Sequence, residues 1–487
     1  MNRGWLSEGL RRGSRTTAAI GLCLLGACVQ GPNYVRPALD IPAAYRNSTA
    51  APLAAADAGS WWSELGDPRL NRLVQEALAN NGDLKIATAR VDEFAAIVAG
   101  TRSQAFPHVG YDLSATHSRG SEEVIPGFVK PVSSDFSAIL TASWELDLWG
   151  RIHRETEAAQ ANLLATEEAR RGVVLTLISS VITGYVTLLD FDEQLRIAQA
   201  NVEGRRQWVD LFRAQLAHGY ISDFTMTQAI AEYQATLATL PDLKQAIATQ
   251  EDALSVLVGR NPGPVARTGD LAALGLPRIP GGLPSELLTR RPDILQAEQQ
   301  LVASNALIGA ARAQYFPRIS LTGLAGFASK ALGQLFSGSA RTWSFTGDVA
   351  GPIFTGGGIA AANRQAEARR DQSLAAYQNV IRKAFQDVDD SLAGLRHSEE
   401  LEQTLERRVQ SLAEGVRLAK LRYDNGYSDY IEVLDTERGL FDAQLSLTQA
   451  RGDRYRSVVS LYRALGGSWG KASASASAAA KPTILRQ

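Results

Sequence analysis

Few residues of this 487-residue chain stand where their types and spacing could do chemistry, and the chemistry they suit is not catalysis. No glycine loop followed by Lys-Ser/Thr, no G-x-S-x-G turn and no His/Cys nucleophile pair occurs. The run TGGGI at 355–359 lacks the lysine of a phosphate loop and reads as a bend. Five histidines, none clustered with cysteine, leave no zinc or iron spacing. One thiol is better placed. Cys28 closes the run LGAC, where Gly26 and Ala27 are small enough for a signal peptidase and the thiol can take a diacylglycerol. A second cluster follows the turn NGYSDY at 425–430. There Ile431 and Asp435, four apart, share a helix face, with Glu432 beside them. Copies of these carboxylates around an axis would make a ring that attracts cations. Singly, they are ordinary acids of a helix N-terminus.

Lys+Arg 50 against Asp+Glu 51 gives a net charge of −1, so nothing electrostatic points to nucleic acid. Arg3, Arg11, Arg12 and Arg15 precede the apolar run AAIGLCLLGA, the charged and hydrophobic regions of a secretory signal at 1–27. LGAC resembles the lipobox of bacterial lipoproteins, which implies a diacylglycerol and an N-acyl (palmitate-type) chain on Cys28, with no other cofactor. Cys23 leaves with the signal, so no intramolecular disulfide forms. Val29, rather than Asp, favours sorting to the outer membrane. The apolar stretch Gly172 to Leu189 reaches the minimum length for spanning a bilayer, but five of its residues are Ser or Thr. Its counterpart further along, VIRKAFQDVDDSLAGLR, is highly charged. Two copies of one element share one environment, so this stretch packs on protein.

That counterpart exists because the chain is duplicated. Gly219 in HGYISDF and Gly426 in NGYSDY lie 207 positions apart. Asp83 and Asp293 lie 210 apart, as do Pro107 and Pro317, in the paired stretches AFPHVGYDLSA and YFPRISLTGLA. Gly150 and Gly356 each close a strand-like stretch, and Gly259 and Gly466 end the two copies. The period is too long for a solenoid. Within each half, residues alternate: Phe136, Ala138, Leu140, Ala142 and Trp144 are apolar, with Ser137, Thr141, Ser143 and Glu145 between, and Trp343, Phe345 and Val349 alternate with Thr342, Ser344, Thr346 and Asp348. Period two predicts two strands per half, one face apolar.

A proline-free helix follows each strand pair, from about 152 to 217 and from about 358 to 424. Every seventh residue of the first reads Glu167, Val174, Val181, Leu188, Leu195, Val202, Val209, Leu216. The second reads Leu374, Ile381, Val388, Leu395, Glu402, Val409, Val416, Tyr423. A sustained seven-residue period means helices supercoiled on neighbours. At 1.5 Å per residue each rod is roughly 100 Å long. At HGY and NGY the rods end and turn back. Gly219 and Gly426 supply the left-handed backbone, and Ser222 and Ser428, or Asp223 and Asp429, cap the return helices. These carry Tyr233, Leu240, Ile247 and Leu254, and Leu440, Leu447 and Leu461.

Four strands cannot close a barrel, and open edges are not tolerated in lipid. The chain therefore must share a barrel with its copies. Two chains would give eight strands and three would give twelve, and spacing alone does not choose.

Four long stretches resemble the TolC-like outer-membrane factors of tripartite export systems, in their lipoprotein, drug-efflux branch. They are CVQGPNYVRP after Cys28, WWSELGDPRLNRLVQEAL at 61–78, LLTRRPDILQAEQQLVASNALIGAARAQYFPRISLTG at 287–323 and LRYDNGYSDYIEVLDTERGLFDAQ at 421–444. The resemblance runs from Cys28 to about Trp469. It implies an α+β membrane protein: a homotrimer in which each repeat gives two strands to a shared 12-stranded barrel and coiled-coil helices to a 12-helix periplasmic tube. It implies passive exit of small amphipathic compounds (drugs) passed on by an inner-membrane pump through a periplasmic adaptor. It also implies an aperture at the tube's periplasmic end, and by position Tyr423, Ile431, Glu432, Asp435 and Arg438 would form it. Some members carry an Arg after the turn glycine for a gate salt bridge, where this chain has Ser428.

The expected organisation is a signal at 1–27, then the anchor, N-terminal segment and first helix of repeat 1 at 28–106. A β-hairpin at 107–150 and a helical hairpin at 151–260 follow, with a Pro/Gly-rich linker at 261–284. Repeat 2 has its first helix at 285–316, opened by Arg291-Pro292-Asp293, its β-hairpin at 317–357 and its helical hairpin at 358–470. A low-complexity tail occupies 471–487 and is expected to be disordered. The rival reading is a lipid-anchored coiled-coil envelope or adaptor protein without a pore. Adaptors, however, carry one helical hairpin, and this chain has two. An enzyme has no converging residue set here.

Overall fold

The structure, a computed structural model, describes residues 29–47, 61–121, 123, 132–267, 271–277 and 284–467. Cys28, the signal, the tail and part of the linker lie outside the described residues. The chain divides into two units, one of Met1–Ala38, Arg90–Thr166 and Gln296–Tyr377, the other of Leu39–Ala89, Glu167–Leu295 and Gln378–Gln487.

The helices longer than two turns are α1 (Pro68–Asn80), α2 (Gly82–Ser103), α3 (Arg151–Ala217), α4 (Asp223–Leu257), α5 (Pro292–Ala313), α6 (Gly358–Asp424) and α7 (Tyr430–Ala464). The strands are β1 (His108–Arg119), β2 (Val132–Leu146), β3 (Arg318–Ser329) and β4 (Arg341–Ala350). The duplication is visible in these bounds. α3 and α6 are each 67 residues long, and α4 and α7 are each 35. Pro292 opens α5, where its missing N–H costs nothing.

In the first unit the four strands form one antiparallel sheet in the order β1-β2-β3-β4. Each repeat contributes its own hairpin, and β2 pairs with β3 to join the halves, Leu140 standing opposite Ala325. The register aligns the apolar sets predicted from the alternation. Tyr111, Leu140, Ala325 and Trp343 make one row across the sheet, and Val109, Ala142, Gly323 and Phe345 make the row below it. This face lies open: Tyr111 and Trp343 are each 78% exposed. A sheet in water does not leave such side chains uncovered along its length. At the strand bases the indole of Trp149 donates to the carbonyl of Pro317 at 2.7 Å and stacks on Phe316. Trp144 donates to the carbonyl of Ala105 at 3.0 Å. Thus both Phe-Pro turns, where helix gives way to strand, are held by tryptophans.

The residues just after Cys28 are strapped to the same unit. Gln30 donates its backbone N–H to Trp149, and the buried Arg154 holds the carbonyl of Gln30 at 3.0 Å and the side chain of Asn33 at 2.8 Å. α5 packs small residues against α3 through Ala158, Ala161, Ala303 and Ala306. Its repeat partner α2 has no buried residue, and Ile86 and Ile97 stand exposed.

In the second unit the predicted heptad positions face inward. Val181, Leu188, Val209, Ile381, Val388 and Leu395 are buried, and none of the others is exposed. The apolar stretch 172–189 is part of α3, and Val181, Ile182, Tyr185, Val186, Leu188 and Leu189 have no exposed surface. The Tyr185 hydroxyl donates to Asp67 at 2.5 Å, so protein surrounds this segment as expected. Arg291 is buried just ahead of α5. It pairs with Asp387 of α6 at 2.8 Å and donates to the carbonyl of Ala464 at the end of α7.

Candidate functional site

The candidate site is the pair of helical tips. Each long helix ends with the same backbone bonds: Gly219 N–H to Leu216 and Tyr220 N–H to Gln215, matched by Gly426 N–H to Tyr423 and Tyr427 N–H to Arg422. Both glycines have φ of 74°, the left-handed value that closes a helix without a Cβ penalty. The caps differ. Ser222 accepts from the N–H of Thr225 at 3.2 Å, ahead of Asp223 at the first position of α4. Asp429 occupies the cap position of α7 and makes no side-chain capping bond.

The two hairpins are bolted together just behind the turns. Phe212 of α3 has no exposed surface and meets Tyr430 edge to face at 4.6 Å. Trp208 packs against Tyr430 at 5.2 Å and against Tyr423 at 5.6 Å. Met226, Ala229, Val433 and Leu434 complete this cluster, which draws on α3, α4, α6 and α7. Burial pushes the Tyr423 and Tyr430 hydroxyls up from their ordinary pKa, and the Arg205 charge opposes this at Tyr430. Both phenols stay neutral.

Beside the aromatics lies a buried charge centre. Arg205 of α3, 3% exposed, pairs with Glu437 of α7 at 3.1 Å. Lys420 of α6 reaches Glu437 at 2.8 Å, and the Trp208 indole donates to it at 3.3 Å. One carboxylate therefore ties three helices from both repeats. Nearby, Arg438 pairs with Glu232 across the hairpins, and its hydrogen bond holds Glu232 below the usual carboxylate range.

The structure brings some of the sequence-picked aperture residues into this lock and leaves others outside it. Tyr423 is in the aromatic cluster, and Arg438 is committed to Glu232. Glu432 pairs with Arg422 across the turn at 2.9 Å, so it is not an unneutralised acid in this chain. Ile431 and Asp435 remain exposed on one helix face. Arg205, Trp208, Phe212, Glu232 and Glu437 join Tyr423 and Arg438 in the lock, residues that no motif in the sequence singles out. Trp208 and Phe212, four apart near the end of a heptad run, were the one local signal. No cluster among the described residues has the ligands for a metal ion, and the arrangement holds helices together rather than reacting.

A sheet with an open apolar face, in a chain that also carries two long helical hairpins locked at their tips, fits a membrane channel protein rather than an anchored spacer. Comparison with known proteins agrees. The sequence model described as "Outer membrane efflux protein" matches twice, at residues 73–260 and 283–467, once for each repeat. The chain is 35% identical over 469 residues to the probable efflux pump outer membrane protein TtgC of Pseudomonas putida, covering 94% of this chain and 96% of the relative. It is 34% identical over 454 residues to the probable outer membrane lipoprotein SilC of Salmonella typhimurium, covering 92% and 97%. Among solved structures, the outer-membrane channel OprN superposes with a TM-score of 0.83 at 31% identity, over 90% of this chain and 99% of that one. The chain belongs to the outer membrane efflux protein family. It is an efflux channel of the outer membrane, built on the TolC-like fold, and its relatives are transport proteins. The poreless coiled-coil reading accounts for neither the sheet nor the match to both repeats.

Proposed function

We propose that three copies of this chain form a passive exit duct. Their sheets close a 12-stranded barrel in the outer membrane, and their helices form a 12-helix periplasmic tube. Small amphipathic compounds pass through it, handed over by an inner-membrane pump through a periplasmic adaptor. Cys28 carries the lipid anchor. The strap from Gln30 to Asn33 supports this, because it fixes the residues next to the anchor at the base of the sheet.

The observation that carries the reading is the pair of open edges. Among the described residues β1 and β4 each pair on one side only, so their outer backbone groups need partners, which lipid cannot supply. Strands from neighbouring copies supply them. α2 supports the same conclusion: its repeat copy α5 is covered within the chain, whereas α2 awaits another copy. Exposed aromatics at both tips, Tyr220, Phe224 and Tyr427, suit docking of an adaptor. At the tube's end Ile431 and Asp435 face the axis as the narrowest ring. Tyr423, Glu432 and Arg438 hold that ring from behind.

Purified full-length protein in planar bilayers tests this. The expected result is a trimer-sized, heat-modifiable species that conducts and prefers cations. Asp435→Ala should raise conductance and abolish the preference. Glu432→Ala should act more weakly, since Arg422 already neutralises that carboxylate. A monomer that passes no current overturns the reading.

A further inference from the structure

The register of the sheet confines its carboxylates to one face. Four carboxylates lie on the strands, Asp112, Asp135, Glu145 and Asp348. All four alternate onto the polar face. The apolar face carries no carboxylate, and at the hairpin-loop ends of its edge strands stand His117 and Arg119 of β1 and Arg341 of β4. Arg341 has no ion pair among the described residues.

This apolar face also contains a furrow of about 540 Å³. Ala138 and Ala325 form its low floor, between Leu113 and Tyr111 on one side and Trp343 on the other. Phe327 and Phe336 meet at 5.4 Å, edge to face, at the loop end, where Arg341 opposes Phe327 across the strands. The β3–β4 loop is held by its own buried Leu335 and Ala340, so the end wall is formed before anything binds. At about 30 Å³ for each water-sized unit, the furrow accommodates more than ten methylenes. A guanidinium at its mouth matches a phosphate through two parallel N–H donors.

We propose that the furrow is a built site for a phosphorylated, acylated lipid of the outer leaflet. One acyl chain lies over Ala138 and Ala325, and Arg341 takes the phosphate. The site rests on the membrane-channel reading, which puts the hairpin loops, opposite the helix connections, at the external surface. A general lipid coat would need the apolar face but not an arginine at the mouth of a furrow on a face free of carboxylates. The furrow lies within one chain's four strands, so assembly leaves it intact.

The test uses full-length protein in phosphatidylcholine nanodiscs, titrated with diphosphoryl lipid A and with the same lipid dephosphorylated, bound lipid being counted by native mass spectrometry. The phosphorylated form should bind at least tenfold more tightly. Arg341→Ala should remove that advantage and leave the dephosphorylated lipid unaffected, whereas Ala325→Phe, which fills the floor, should weaken both. Equal affinity for the two lipids, or no response to either substitution, overturns the proposal. Conductance of the same preparations separates the causes. Conducting protein without lipid discrimination sinks the site alone. Non-conducting protein sinks the channel reading, and the site with it.

Discussion

Removing the carboxylate of Glu437 tests whether the tips are locked by a buried charge or merely packed. In Glu437→Leu, Arg205 keeps its charge at 3% exposure with its 3.1 Å partner gone. Lys420 loses a 2.8 Å contact but is half-exposed and rehydrates, and the Trp208 indole loses its acceptor. Stranding a buried charge costs about 3–5 kcal/mol, while the exposed lysine adds little. Three kcal/mol is roughly a hundredfold in an equilibrium constant. Amide hydrogen exchange near Arg205 to Tyr233 and Lys420 to Leu440 should accelerate by at least that factor, with the β-strands unaffected. The decisive comparison is Arg205→Met combined with Glu437→Leu, which removes both charges and keeps apolar bulk. That pair should recover more than half of the lost protection. If the double variant exchanges as fast as the single, the cost is lost packing and the charge-lock reasoning is refuted.

The Glu232–Arg438 pair predicts an acid response. Arg438 lowers the Glu232 pKa, so the pair stabilises the joined hairpins fully above the unfolded glutamate value and is lost as pH falls through the lowered folded value. Single-channel conductance should be flat near neutrality and rise in acid, and Glu232→Gln should remove that step. Because Arg438 is half-exposed, the effect should stay below about 1 kcal/mol. The turn glycines give a matched pair. Nothing lies within 4 Å of a Cβ built on Gly219 or Gly426, so Gly219→Ala and Gly426→Ala should each cost only the backbone term, about 1–2 kcal/mol. Local exchange at the two tips should rise equally, and a markedly larger effect at one would show that the turns are not equivalent.

The elements with a local period were legible in the sequence. Heptads at Val181 and Ile381 located the rods, the alternation from Phe136 to Trp144 located a strand, and the offset between Gly219 and Gly426 matched the helix ends. Pro292 marked the start of α5. What joins the repeats left no such trace. Arg205 and Glu437, or Leu140 and Ala325, are far apart in the chain and meet only through the fold. Glu432 looked like a free acid because its partner Arg422 lies on the far side of the turn. The spacing that put Ile431 and Asp435 on one face was sufficient, because that relation is internal to a single helix.

The two unpaired rims of the sheet have a cost before assembly. β1 and β4 are 12 and 10 residues long, and neither contains the proline or lysine that commonly blunts such margins. A newly exported single copy is a template that any stray extended segment could lengthen. If the proposed trimer forms, each copy must be escorted or kept dilute until the others join it, and overproduction without such an escort should yield insoluble deposits in place of channels.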